Sequence, residues 1–220
     1  MGSIEGETMK YVKTLGVAAV AAAALMAFVG ASSASATVLC KTPGTGTPTG
    51  TTCPEGWAYP VGTTTHEVNE GVVKLTTEFK NIECSKSEIE IETENLGSET
   101  ETVRGQVKKL TFQECNCEIK TLNNGTQEFH WISGTHNGTI TSTKSEVTAQ
   151  CSSIFGNVHC IYSTNETDVG DVTAGAEATV DIEGNDIPRL TTNGLCAEKA
   201  SWDGKYKVES PKPLYFATKT

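Results

Sequence analysis

The chain has 220 residues, with 17 basic and 27 acidic side chains and a formal net charge of −10 at pH 7. This charge repels nucleic acid and anionic lipid, so we expect no nucleic-acid partner and read the acidic surface mainly as an aid to solubility. The length is sufficient for one hydrophobic core, and a single folded domain is the default expectation.

An export signal is predicted at the N-terminus. Lys10 and Lys13 precede an Ala-rich apolar run, and a segment of small residues then ends in Ala34-Ser35-Ala36. A basic start, an apolar run and an A-x-A sequence are the three parts of a secretory signal peptide. We therefore predict a Sec-type signal peptide over residues 1–36, which would place the protein outside the cell or on its surface.

Two alternatives to this prediction remain open at the N-terminus. Glu5 and Glu7 suit the first part of a signal poorly, so the true start could be Met9. If the signal is not cleaved, residues 14–31 would instead anchor the chain in the membrane. In either case a single domain is predicted over residues 37–220.

All eight cysteines follow the predicted cleavage site; they are Cys40, Cys53, Cys84, Cys115, Cys117, Cys151, Cys160 and Cys196. An even number of cysteines behind an export signal predicts four disulfides, although eight cysteines allow 105 pairings. Proximity in the sequence favours Cys40–Cys53 and Cys151–Cys160. The remaining bonds would then link Cys84 and Cys196 to Cys115 and Cys117, in an order that the sequence leaves open.

The first half of the domain changes from loop to strand. Residues 41–52 are rich in Gly, Pro and Thr and are predicted to form a loop. Strand-like sequence begins at Thr63. Ile89 and Ile91 then alternate with glutamates, a period of two that predicts a strand with one buried and one acidic face.

Residues 110–138 contain two strand-like runs around Asn123-Asn124-Gly125. We predict a hairpin with a three-residue loop and a left-handed Gly125, because this register places Ile119 opposite Phe129 and Cys117 opposite Trp131. The same register pairs Lys120 with Glu128 on the other face. The apolar positions change from even to odd before this turn, which predicts a bulge or bend near residues 113–115.

The last third continues the strand pattern. Val180 and Ile182 alternate with acidic residues, and Pro188 is expected at an edge or outside the sheet. Asp203-Gly204 between two strand-like runs predicts a further hairpin. No helical period persists over three turns downstream of the signal. We therefore predict an all-β fold, an antiparallel β-sandwich or barrel of short strands stapled by disulfides.

The sequence contains no recognisable catalytic motif. It lacks G-x-S-x-G, H-E-x-x-H and a Gly-rich phosphate loop, so we expect no enzyme and no cofactor. A zinc site or a redox centre at Cys115-Asn116-Cys117 is conceivable, but thiols of exported chains oxidise to disulfides, and no metal is expected. A small secreted hydrolase that uses two of the many carboxylates is the least favoured function.

Aromatic residues offer a second function. Trp57, Trp131, Trp202 and Tyr206 could form a stacking surface for a cell-wall or environmental polysaccharide. Aromatic residues spread over strands are more often part of a core, and that interpretation competes with a glycan-binding surface.

Four segments carry a family resemblance: ATVLCKT after the export signal, LTFQECNCEIK, HWISGTHNGTITSTKSEVTAQC, and the ending ASWDGKYKVESPKPLYF. In these segments the chain resembles a family of exported, uncharacterised β-rich proteins of high-GC Gram-positive soil bacteria. The resemblance implies export and a β-rich fold, and it implies no activity or ligand. We expect a non-catalytic extracellular or cell-surface domain with a structural or interaction role. The sequence leaves its partner unknown, and a cell-wall or environmental glycan and another surface protein are the alternatives.

Overall fold

The computed structural model describes residues 37–46, 51–98, 100–153, 156–191 and 194–218, with only the backbone at Ser153, Asp168 and Asn185. The predicted signal peptide, the start at Met9, the cleavage site and the anchor at residues 14–31 lie outside the described residues. Within this part of the chain, no helix is long and apolar enough to cross a membrane.

The described elements are all β-strands. They are β1 (Val38–Cys40), β2 (Thr64–Asn69), β3 (Val73–Thr77), β4 (Asn81–Thr93), β5 (Val103–Cys115), β6 (Glu118–Asn123), β7 (Thr126–Trp131), β8 (Gly138–Thr143), β9 (Glu146–Ser153), β10 (Gly156–Ser163), β11 (Thr167–Thr173), β12 (Thr179–Pro188), β13 (Lys199–Ser210) and β14 (Tyr215–Ala217). The all-β prediction is confirmed.

Eight strands close into an antiparallel barrel. Their order is β12-β11-β8-β7-β5-β4-β2-β13, and β13 pairs with β12 to complete the circle. Both β2 and β3 pair with β4 on one side and with β13 on the other, so residues 64–77 act as one interrupted strand. The strand pattern left a sandwich and a barrel open, and the structure is a barrel.

A three-stranded sheet of order β10-β9-β6 extends one end of the barrel. Along the chain, β6 leads into β7, β8 into β9 and β10 into β11. The antiparallel pairing continues from the barrel into the sheet, because β7 pairs with β8 and β6 with β9. At this end β5 and β12 are no longer joined to their neighbours by full ladders. The three-stranded sheet therefore forms one wall of this end of the barrel. It is joined to the barrel mainly because its strands continue into β7, β8 and β11.

The backbone bends along one line between the barrel and this sheet. Gly125, Lys144 and Glu166 lie at the three junctions, and all have positive φ angles, of 73°, 58° and 51°. At Gly125 a side chain would collide with the backbone of Lys144 and Ser145. Because such a position admits only glycine without a shift of the backbone, Gly125 fixes the place of the bend.

Buried hydroxyl groups hold the bend together. The Ser142 hydroxyl lies 2.9 Å from the Ser145 hydroxyl and 3.0 Å from that of Thr164. The Ser145 backbone N–H donates to Thr164 Oγ1 at 2.9 Å, and its hydroxyl donates to the Asn124 carbonyl at 2.7 Å. These bonds satisfy buried polar groups at the place where the strand ladders are interrupted.

The opposite end of the barrel is covered by the two ends of the domain. β1 pairs with β14, and Phe216 of β14 packs against Phe129 with ring centres 6.3 Å apart. Gly138 lies under the Phe216 ring, where a side chain would collide with it. The Thr37 hydroxyl accepts the Trp131 N–H at 2.8 Å. This end of the barrel is therefore packed with apolar side chains.

The predicted strand faces are confirmed where the period of two is strict. Ile89, Ile91, Val180 and Ile182 are all buried in the core. The glutamates beside Ile89 and Ile91 point outward, and Glu88 and Glu90 form ion pairs with Lys109. The predicted bend before residue 116 corresponds to Glu114, which has a φ of 54°.

The predicted hairpin at Asn123-Asn124-Gly125 is wrong. Gly125 is left-handed, but the chain bends and continues, so Ile119 lies opposite Ala149 and Phe129 opposite Ile140. The Asn123 side chain accepts the Gly125 N–H, and the Asn124 side chain donates to the Lys108 carbonyl. These bonds stabilise a bend without a reversal of the chain.

The two remaining predicted contacts of this region, Cys117 with Trp131 and Lys120 with Glu128, are also wrong. Trp131 lies opposite Gly138, and Cys117 is bonded to Cys151. Glu128 forms its ion pair with Arg104 of β5, and Lys120 pairs with Glu118. The predicted hairpin at Asp203-Gly204 is wrong as well, because β13 runs straight through both residues. Gly204 is instead a strand glycine that lets Val73 approach closely.

Four disulfides join Cys40–Cys53, Cys84–Cys115, Cys117–Cys151 and Cys160–Cys196. The predicted number and the Cys40–Cys53 pair are confirmed, and no described cysteine is free. The predicted Cys151–Cys160 bond is wrong, because the β9–β10 register places Cys151 opposite Val158 and Cys160 opposite Ala149. Four disulfides are typical of chains that fold in an oxidising compartment.

Candidate functional site

A cleft of about 440 Å³ opens at the barrel end that carries the three-stranded sheet. It lies between β9 and β10, the connection from β3 to β4, and residues 194–197. The described residues that line it are Thr77, Phe79, Lys80, Ile82, Ala149, Cys151, Ser152, Val158, Cys160, Tyr162, Gly194, Leu195, Cys196 and Ala197. Most of these side chains are apolar, so the cleft is suited to an apolar molecule.

The cleft and the β1–β14 pair lie at opposite ends of the barrel. β4 begins beside the cleft, next to Ile82. The loop that follows the other end of β4 contacts the start of the domain, where the Thr37 N–H donates to the Glu101 carbonyl. The barrel is therefore covered at one end and carries its cleft at the other.

One wall of the cleft is the tight turn between β3 and β4. The Thr77 N–H donates to the Lys80 carbonyl at 2.9 Å, and the Lys80 N–H donates to the Thr77 hydroxyl at 3.0 Å. These bonds fix residues 77–80 and leave Phe79 at the tip, 63% exposed. Leu195 on the facing segment is 50% exposed. Two large apolar side chains thus border the cleft with half or more of their surface exposed.

Disulfides and hydrogen bonds fix the other walls. Cys160–Cys196 ties residues 194–197 to β10, and Cys117–Cys151 ties the residue before β6 to β9. The Tyr162 hydroxyl donates to the Ala197 carbonyl at 3.3 Å, and the Arg189 guanidinium donates to the Cys196 carbonyl. A cleft with such walls is largely preformed, which lowers the entropic cost of binding a ligand.

Tyr162 closes the cleft toward the barrel interior. It also borders a small cavity of about 20 Å³ between the three-stranded sheet and the facing wall, where Phe112 and Trp202 pack with ring centres 5.4 Å apart. Such a cavity has room for about one water molecule. Burial raises the pKa of Tyr162 above its ordinary value, against a smaller opposing effect of Arg189, so the phenol stays neutral and can donate its hydrogen bond.

No family model, curated protein or solved structure matches this chain. We therefore argue its function from the cleft and from the chemistry of the residues around it.

The four aromatic residues predicted as a glycan-binding surface do not form one. Trp131, Trp202 and Tyr206 are buried in the core, and only Trp57 is exposed, at 52%. Trp202 packs edge-on against Tyr206 with ring centres 6.4 Å apart. These side chains alternate inward along their strands, so they cannot stack on a polysaccharide, and the prediction of a shared aromatic surface is wrong.

The residues that border the cleft were missed by the sequence analysis. Phe79 is a single apolar residue between Glu78 and Lys80 in the β3–β4 turn, and Leu195 directly follows Gly194 in the sequence. A large apolar side chain at the tip of a turn is not required by any strand period. Such an unexplained apolar residue is the signal by which the sequence could have marked Phe79 and Leu195. It does not reveal that the two segments meet.

The cysteines of the C-x-C pair cannot ligate a metal, because both form disulfides. A different group, His66, Glu88 and Glu90, brings its ligand atoms within 4.8 Å of one another on the outer face of the barrel. The ammonium of Lys109 pairs with both carboxylates of this group. Because both carboxylates already pair with the Lys109 ammonium, we assign no metal to this group.

Glu67 is a buried carboxyl on β2 and is only 2% exposed. Among the described residues, no hydrogen bond or ion pair to its side-chain carboxyl is found. The residues opposite it on β4 and β13, Ile89 and Val208, do not titrate. Burial raises the pKa of Glu67 to about 8.

The titratable group that interacts with Glu67 is Tyr206. The Tyr206 hydroxyl donates to Ser87 Oγ at 2.8 Å, and burial raises the pKa of this tyrosine far above its ordinary value. The phenol therefore stays neutral through the range in which Glu67 titrates. Glu67 lies outside the cleft lining, and its ionisation bears on the stability of the barrel, because a charge there has no partner.

Proposed function

We propose that this protein is an exported, non-catalytic binding domain that holds a small apolar molecule in the cleft at the end of its barrel. The observation that carries this proposal is the cleft itself: about 440 Å³, apolar, and enclosed by walls that two disulfides fix. Binding sites for small molecules commonly measure about 300–1,000 Å³ and have mostly apolar linings with a few polar groups.

A binding role suits the lining better than a catalytic role. The polar side chains of the described lining are those of Thr77, Lys80, Ser152 and Tyr162, and no histidine, aspartate or glutamate is among them. Histidine and the carboxylates are the commonest acid–base groups of enzymes and the usual activators of a nucleophile. The few polar groups present are suited to orienting a ligand.

Export is supported by three features. The N-terminal segment has the composition of a secretory signal, all eight cysteines form disulfides, and the chain resembles a family of exported bacterial proteins. The intact mass of the protein from the culture medium of a producing cell is expected to fit a chain that starts at Thr37 and is eight hydrogens lighter than its reduced form. A full-length chain in the membrane fraction would contradict cleavage and favour the anchor at residues 14–31.

The cleft is tested with a series of straight-chain alcohols in a calorimetric or fluorescence-displacement assay. Each methylene group that enters the cleft contributes about 0.8 kcal/mol, so the affinity is expected to rise roughly fourfold per carbon until the cleft is filled. An affinity that does not depend on chain length would contradict an apolar site.

Two variants locate this binding. Val158→Trp places a large side chain in the cleft from a partly exposed position on β10, and we expect it to abolish alcohol binding. Val72→Trp is the matched control, because Val72 is exposed and does not line the cleft. Phe79→Ser at the exposed turn tip is expected to weaken binding without unfolding the protein. Equal affinities in the Val158→Trp and Val72→Trp variants would place the site elsewhere.

A further inference from the structure

We infer that the ligand of the cleft is an amphiphile whose single anionic group pairs with Lys80, such as a medium-chain carboxylate. This inference rests on the proposed function, and it specifies the chemistry of the ligand. The apolar chain would lie between β9–β10 and the facing turn, and the anionic group would lie at the border of the cleft.

The first argument is the charge of the lining. Lys80 is the one charged residue among the described residues that line the cleft. The chain has 27 acidic and 17 basic side chains, yet no acidic residue is among the described residues that line the cleft. A binding site generally presents a charge opposite to that of its ligand.

The second argument is that the ammonium group of Lys80 has no ion-pair partner among the described residues. Nine other lysines form ion pairs with carboxylates: Lys74, Lys86, Lys108, Lys109, Lys120, Lys199, Lys205, Lys207 and Lys212. Lys80 forms no ion pair with any residue of the described chain. Its ammonium group is therefore available to an anion that arrives with the ligand.

The third argument is position. The hydrogen bonds between Thr77 and Lys80 hold the backbone of the turn, so the Lys80 side chain starts from a fixed point next to Phe79. Phe79 supplies apolar surface, and Lys80 supplies charge at the edge of the same cleft. An apolar chain with one anionic end matches this order of groups.

The neighbouring hollow does not compete for the anion. It is lined by Glu78, Glu198, Arg189 and Lys199 among other residues, so its acidic and basic groups balance in number. The preference for a charged head group is therefore expected to depend on Lys80.

The test compares three ligands with the same ten-carbon chain: decanoate, decanol and decylammonium. At pH 7.5 and low salt we expect decanoate to bind about fivefold more tightly than decanol, the size of one favourable ion pair near a surface, and decylammonium to bind more weakly than decanol. The preference for decanoate is expected to decrease as salt screens the pair.

Variants of two lysines assign the effect. Lys80→Gln should reduce the decanoate affinity to that of decanol and leave decanol binding unchanged. Lys144→Gln is the matched control, because Lys144 is also an exposed lysine without an ion pair among the described residues and does not line the cleft. It should retain the preference for decanoate.

The outcomes separate this inference from the proposed function. Equal binding of decanoate and decanol, or a preference that persists in Lys80→Gln, would overturn the role of Lys80 while the apolar site stands. A preference that Lys144→Gln also removes would overturn it too, because the effect would then reflect the overall charge. Failure of all three ligands to bind would overturn the proposed function itself.

Discussion

Glu67→Gln is expected to remove most of the loss of stability that the protein suffers between mildly acidic and alkaline pH. The carboxyl of Glu67 is buried without a partner among the described residues, and burial raises its pKa from 4.5 to about 8. Its ionised form is therefore unfavourable in the folded protein, whereas the unfolded chain ionises freely.

The sign follows from proton binding. Below about pH 4.5 the carboxyl is protonated in both states, so Glu67 causes no loss of stability there. Between about pH 4.5 and pH 8 the folded state still holds a proton that the unfolded state has lost, so the free energy of unfolding falls by about 1.4 kcal/mol per pH unit. Above pH 8 the loss levels off, after a total of up to about 5 kcal/mol.

Urea unfolding of the wild type and of Glu67→Gln at pH 5, 7 and 9 measures this effect. The two proteins should have similar free energies of unfolding at pH 5, and the variant should be the more stable one at pH 9 by several kcal/mol. Glu70→Gln is the control, because Glu70 is exposed and lies three residues away. Parallel pH curves for the wild type and Glu67→Gln would show that this carboxyl does not carry the dependence.

Trp131→Ala is expected to cost about 3–5 kcal/mol of the free energy of unfolding. Trp131 lies at the covered end of the barrel and is only 7% exposed. Its indole N–H donates to the Thr135 carbonyl at 2.8 Å, and its backbone N–H donates to Thr37. Truncation would remove a large buried ring and leave a cavity that the surrounding strands can fill only in part.

Trp57→Ala provides the comparison for this prediction. Trp57 is half-exposed in a loop, so its truncation should change the free energy of unfolding by less than about 0.5 kcal/mol. Chemical denaturation followed by circular dichroism can measure both variants. Similar effects of the two substitutions would contradict the burial of Trp131 as the cause.

Local pattern predicted the strands of this protein but not the partners of those strands. The alternation at Ile89 and Ile91 fixed which face is buried, because a strand presents alternate residues to opposite sides. Asn123-Asn124-Gly125 has the composition of a hairpin turn, yet the chain bends there and pairs with strands that come later. A left-handed glycine is compatible with both outcomes, so the choice depends on distant segments.

For the cysteines as well, the sequence predicted the number of disulfides but not all of their pairings. The even number behind a predicted export signal indicated that all of them are bonded, and the structure confirms four disulfides. Proximity predicted Cys40–Cys53 correctly, because a loop brings its own ends together. Cys151 and Cys160 face the same side of the β9–β10 pair but are offset by two residues, and each is bonded to a cysteine of another segment.

The sequence by itself determined the class of this protein: an acidic all-β chain with four disulfides and buried faces that follow a period of two. Only the tertiary structure decided that eight strands close into a barrel, that one end is covered by β1 and β14, and that the other end carries a cleft. Leu195 is far from Phe79 and Lys80 along the chain and has no periodic relation to them. They meet because strand register and the Cys160–Cys196 bond are long-range properties, and local composition does not encode them.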